Sequence, residues 1–234
     1  MPSPADTKTH VATVASDSAP ALHVFAVSGG MAATNAFMLA CDETNQAVIF
    51  DAPDHTMSPM LEDALALDLD VVGLWLTHGH WDHLADHAAV TEAFPNAKVL
   101  IHELDAKYLR EPGSKIFTLP FTIPAREPDG FVTDGESLSF GRQSCEVIFT
   151  PGHAPGHVMY HFASHDLLVG GDLIIGGAVG RTDLPDSSPE KLDESIRRVM
   201  QLPPQTQLLP GHGQPSTLGD ERANNPYVQQ ALQS

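Results

Sequence analysis

The apolar positions of this chain fall into short runs, each closed by a turn residue. Val71-Val72-Gly73-Leu74-Trp75-Leu76 is the clearest and reads as a buried strand over 71–77. Similar runs predict strands near 22–28, 35–41, 46–51, 98–102, 138–140, 143–149, 157–163, 166–170 and 206–209. Helical segments lie between them. Ser58-Pro59 reads as a cap and first helical position for a helix to Leu69, and Ser188-Pro189 opens another that reaches about Gln201. Further helices are expected over 83–94 (ending before Pro95), 103–110 and 217–224. Residues 111–136 hold several Pro and Gly and read as a loop and hairpin region over the site. Residues 1–20 are rich in small and polar residues and read as a flexible tail, with a single domain over 21–234. Strands with interspersed helices in each half predict an α/β fold, an αββα sandwich of two facing sheets with helices outside.

The chemistry sits where these strands stop. Thr77-His78-Gly79-His80-Trp81-Asp82-His83 follows one strand directly. Imidazole and carboxylate are the usual ligands of Zn²⁺, Fe and Mn²⁺, and the His-x-His spacing aims two rings from one bend. Three more candidates repeat the pattern of apolar strand, Gly or Pro turn, then ligand-type residue. They are His153 in Thr150-Pro151-Gly152-His153, Asp172 in Gly170-Gly171-Asp172, and His212 in Pro210-Gly211-His212-Gly213. Asp82 also has the position of a helix N-cap. Asp51 is placed to support a ligand, and His157 reads as a support for the site rather than a ligand. His87 reads as a packed side chain, and His55 as a neighbour of the site.

Composition narrows the partners. The chain has 234 residues, enough for a sizeable core, and a formal charge of −18 from 30 acidic and 12 basic residues. That charge argues against nucleic acid, which needs clustered Lys and Arg, and against anionic membranes. No apolar run approaches the roughly 20 residues that span a bilayer. Cys41 and Cys145 lie in strand-like stretches, read as two buried free thiols in a reducing, cytoplasmic setting.

The set His78-x-His80-x-Asp82-His83, His153, Asp172 and His212 resembles the metallo-β-lactamase superfamily. The resemblance implies an αββα sandwich and a two-metal site. His78, His80 and His153 would hold the first divalent ion, Asp82, His83 and His212 the second, and Asp172 would bridge. Zn²⁺ is the first choice of ion, with Fe and Mn²⁺ also suited. Thr150-Pro151-Gly152-His153-Ala154-Pro155-Gly156-His157 and Gly180-Arg181-Thr182-Asp183 are similar to glyoxalase II-type hydrolases, here in a short form without the C-terminal helical domain. This branch implies hydrolysis of S-2-hydroxyacylglutathione or a related small-molecule acyl thioester or ester. A water of lowered pKa between the ions would attack the carbonyl, with Asp82 as its hydrogen-bond acceptor. Arg181 is the candidate contact for a substrate anion, with an ion pair to Asp183 as the competing reading. The same motifs also fit a persulfide dioxygenase with one iron, and a lactonase or β-lactamase-like hydrolase.

Overall fold

The computed structural model describes residues 10–16 and 19–233. Among the described residues thirteen strands run β1 His10–Val14, β2 Leu22–Gly29, β3 Thr34–Cys41, β4 Gln46–Phe50, β5 Asp70–Trp75, β6 Lys98–His102, β7 Gly130–Val132, β8 Ser137–Phe140, β9 Gln143–Phe149, β10 Val158–Phe162, β11 Leu167–Gly171, β12 Gln207–Pro210 and β13 Ser216–Thr217. The helices are α1 Ser58–Ala66, α2 Trp81–Leu84, α3 His87–Ala93, α4 Ala106–Arg110, α5 Pro189–Val199, α6 Leu218–Asn224 and α7 Pro226–Gln233.

The first sheet holds β1 to β7 in sequence order, and the second has the order β13-β12-β11-β10-β9-β8. Strands β1 to β4 pair antiparallel, whereas β4 to β7 pair parallel. Parallel neighbours need a crossover, and α1, α2 with α3, and α4 supply them on the outer face. In the second sheet the parallel pair β11–β12 is linked through α5.

Strand β3 shows why the layers form. Every one of its residues is buried, and they alternate between two cores. Phe37, Leu39 and Cys41 face the second sheet, beside Phe50, Trp75, Tyr160 and Phe162. Ala36, Met38 and Ala40 face the helix layer with Met60, Leu61 and Val90. A third core lies under α5 to α7, where Leu192, Ile196, Val199, Leu218 and Val228 cover Ile148, Met159 and Leu168. The inter-sheet aromatics pack edge to face, Phe50 on Trp75 with centroids 5.6 Å apart and on Phe162 at 6.1 Å.

Several expectations change. The tail expected over 1–20 lies partly outside the described residues, but His10–Val14 within it pair with Leu22–Ala26 as an edge strand. The single helix expected over 83–94 is two, because Asp86 turns its carboxylate to the Thr56 and Met57 N–H groups and its own N–H to the Ala52 carbonyl. The loop and hairpin region yields β7, which pairs parallel to β6 and so closes no hairpin. Asp82 is not an N-cap. His80 occupies that position, and Asp82 lies in the first turn of α2. Helix α7 was not foreseen. Asn225 caps it, its Oδ1 accepting from the Tyr227 and Val228 N–H groups at 3.0 and 3.4 Å. Both cysteines are free and buried, and among the described residues no helix is long and apolar enough to cross a membrane.

Candidate metal centre

His78 and His80 occupy the loop after β5. His80 has extended backbone (φ −68°, ψ 146°), and the next residue starts α2. The motif therefore changes from extended to helical midway, which turns Asp82 and His83 back toward the histidines before them. His153 follows β9, Asp172 follows β11 and His212 follows β12. All seven predicted ligand residues meet at one edge of the sandwich.

Two groups share a boundary there. His78 Nε2 lies 3.0 Å from His80 Nδ1, which is 2.8 Å from His153 Nε2. On the other side, Asp82 Oδ2 lies 3.6 Å from His83 Nε2 and 3.4 Å from His212 Nε2. Asp172 touches both. Its Oδ2 is 3.4 Å from His153 and 3.3 Å from His212, and its Oδ1 is 3.4 Å from His83. Within the trios His78–His80–His153, His78–His83–Asp172 and Asp82–His83–His212 the ligand atoms all lie within 4.8 Å of one another.

These donors fit cations. His83 Nε2 and Asp172 Oδ1 are buried with no hydrogen-bond partner among the described residues, and a buried polar atom left so is costly. Burial holds His78, His80 and His153 below the ordinary imidazole range, His80 at about 3, and at His78 and His80 the neighbouring imidazoles push the same way. Neutral imidazole is the form that ligates. Burial would lower His83 and His212 too, but the Asp172 and Asp82 carboxylates outweigh it and hold both above that range, His212 at about 9. Positive charge is thus favoured where the second trio converges, and a divalent ion would supply it.

The ligands are themselves held. Asp51 sits in the left-handed region (φ 61°). Its carboxylate takes the Thr77 N–H and hydroxyl, each at 2.8 Å, and lies 2.8 Å from His83 Nδ1. The Asp172 N–H donates to His157 Nε2 at 2.9 Å, so His157 supports the centre and ligates nothing. His87 is buried against the Pro124 carbonyl, 2.8 Å away, and His55 packs on Phe121.

Sequence reasoning missed three supports. Thr34 donates its hydroxyl to Asp82 Oδ2 at 2.8 Å. Asn35 donates its amide to the Pro210 and Gly213 carbonyls, both at 2.9 Å, and so fixes the His212 loop. Two adjacent polar residues opening an otherwise apolar strand were the available signal. Asp105 accepts from Gly79 N–H at 2.8 Å and Gly156 N–H at 2.7 Å, tying the His78-Gly79-His80 loop to the turn after His153. Burial pushes its carboxyl up to about 6, against those two N–H groups.

The centre is the floor of a cavity of about 450 Å³. Met31, Trp81, Ile116, Phe117, Val179 and Leu184 stand among its walls. Arg181 lines it too, but its guanidinium is bound bidentate to Asp183 at 2.6 and 2.7 Å, and its carbonyl lies 2.9 Å from His153 Nδ1.

Residues 29–212, which span all seven candidate ligands, match the profile of the metallo-beta-lactamase superfamily. The chain belongs to this superfamily. The hydroxyacylglutathione hydrolase GloC of Haemophilus influenzae is 33% identical over 201 residues, 83% of this chain and 92% of that protein. The crystal structure of BLEG-1 B3 metallo-beta-lactamase is similar at 31% identity with a TM-score of 0.80, over 87% of this chain and 98% of that one. That of TTHA1623 in a di-iron-bound form has 32% identity and a TM-score of 0.74, over 87% and 100%. The fold is the αββα sandwich of the superfamily, and the His/Asp cluster fits a binuclear site.

Proposed function

We propose that this chain is a binuclear metallohydrolase of the glyoxalase II type that cleaves acyl thioesters, S-2-hydroxyacylglutathione or a close relative. One observation carries the metal-dependent part. The His78–His80–His153 and Asp82–His83–His212 trios meet at the floor of an open cavity, Asp172 lies 3.4 Å from His153 and 3.3 Å from His212, and His83 Nε2 and Asp172 Oδ1 are buried without a hydrogen-bond partner. His78, His80 and His153 would hold one ion and Asp82, His83 and His212 the other, with Asp172 between them; zinc is the ion proposed. When bound, the ions would lower the pKa of a water to roughly 7 and polarise the substrate carbonyl.

The chain's own residues do the rest. Thr34 holds Asp82 so that its carboxylate can accept a hydrogen bond from the attacking water. The Arg181 carbonyl and the Asp51 carboxylate fix the rings of His153 and His83. Water adds to the acyl carbon, the C–S bond breaks, and a carboxylic acid and a thiol leave. A thiol has an ordinary pKa of about 8.5, so its sulfur departs as thiolate without a dedicated acid. An amide would need a proton delivered to nitrogen, which favours thioester and ester substrates. The resemblance to BLEG-1 supports a second reading, a β-lactamase-like hydrolase. Reconstitution with zinc, iron or manganese, followed by assays on S-lactoylglutathione and nitrocefin, separates the two. Thioester turnover with two ions per chain is expected. Turnover of nitrocefin alone would select the second reading, and one iron per chain with oxygen uptake on a persulfide would overturn both.

A further inference from the structure

We propose that residues 113–117 form a strap that makes this cavity selective for a bulky apolar acyl group on the substrate. The proposal rests on the thioester reading and adds which half of the substrate the cavity takes.

The strap is pinned on both walls. On one side Lys115 Nζ lies 3.0 Å from Asp186 Oδ2, in the segment before α5, and 4.6 Å from the Tyr108 ring centroid. On the other side Phe117 sets its ring against Trp81 at 5.8 Å, nearly perpendicular at 87°. Ile116, between them, therefore lies across the mouth. Behind the strap the chain is anchored again: Phe121 packs on Trp81 and His55, and Ile123 is buried in the core.

This arrangement leaves apolar surface uncovered along the cavity. Met31 is 56% exposed, Ile116 54% and Phe117 43%, and all three line the same cavity. A single exposed apolar side chain is ordinary, but a cluster rimming a cleft marks a ligand surface. Trp81 continues that surface down to the floor, because it stands between His80 and Asp82 in the chain. A carbonyl placed at the floor would have its acyl substituent against Trp81, Phe117 and Ile116.

Two cations also line the cavity. Arg181 is paired with Asp183, and Lys115 shares the single Asp186 carboxylate with Lys107. The apolar atoms of the wall leave water on binding. Each buried methylene strengthens binding by roughly fourfold.

The deciding measurement is binding of S-hexylglutathione and S-methylglutathione, which cannot be hydrolysed, to the zinc-loaded protein by calorimetry. S-hexylglutathione is expected to bind at least about tenfold more tightly. In Phe117→Ala and Ile116→Ser that ratio falls below about threefold, with unfolding temperatures unchanged because both side chains are half exposed. Equal affinities in the wild type, or a ratio untouched by both substitutions, would overturn the strap. Kinetics with S-mandeloylglutathione and S-lactoylglutathione then test the parent reading separately. If the hexyl preference is present and neither thioester is cleaved, the strap stands and the hydrolase assignment fails. If both are cleaved and hexyl binds no better than methyl, the hydrolase stands and the strap fails.

Discussion

The floor and the mouth of the cavity are built on opposite terms. At the floor, His78 and His83 are fully buried and Asp172 is nearly so. Each is locked by a further residue that touches no substrate: Thr77 on His78, Asp51 on His83, and His157 on the Asp172 N–H. At the mouth, Lys115, Arg181 and Asp183 are about half exposed or more and pair across solvent. Rigid chemistry below and adjustable contacts above is the division expected when a reaction stays fixed and a substrate varies. If it is real, substitutions should grade steeply from floor to mouth.

The steepest losses belong to the ligands. His80→Ala and Asp82→Ala are each expected to lower kcat/KM for S-lactoylglutathione at least about 100-fold and to lower bound zinc, measured by elemental analysis. Activity within threefold of wild type in either would remove the floor's claim to the chemistry. Gly211→Ala comes next. A Cβ there would press into Asp172 Oδ1 and the His83 ring, so zinc affinity should fall roughly 10- to 100-fold while the far-ultraviolet spectrum is retained. Asp105→Asn tests the support one layer further out. Asparagine keeps one acceptor oxygen and replaces the other with a donor, so either Gly79 or Gly156 loses its acceptor; zinc affinity should drop about tenfold, and Asp105→Glu should not rescue it. At the mouth, Arg181→Met should change lactoyl turnover less than about fivefold, as befits an exposed pair. A loss as large as that of Gly211→Ala would erase the contrast.

How much of this the sequence shows depends on what each residue answers to. The strand positions were readable because β5, β6 and β9 are short apolar runs bounded by turn residues, and local pattern reports local backbone well. The ligand-type residues were readable because each follows such a strand. The partners of those residues were not. Thr34 reaches Asp82 across 48 positions and Asp105 reaches Gly156 across 51, and nothing at either end marks the other. The direction of β7 was hidden for the same reason, since parallel pairing is decided by the neighbour and not by the turn before it. Arg181 illustrates a mixed case. It was expected either to contact a substrate anion or to pair with Asp183, and the pair forms; the contact it supplies to the centre is a backbone carbonyl that any residue carries.

The hairpin between β2 and β3 has a reach out of proportion to its size. Within five positions Met31 stands in the wall, Thr34 holds Asp82 and Asn35 grips the chain on either side of His212. One short piece of backbone therefore borders both the cavity wall and the loops that carry Asp82 and His212. A change in the length of this turn would disturb the apolar surface above and the spacing of the carboxylate and imidazole below in a single step.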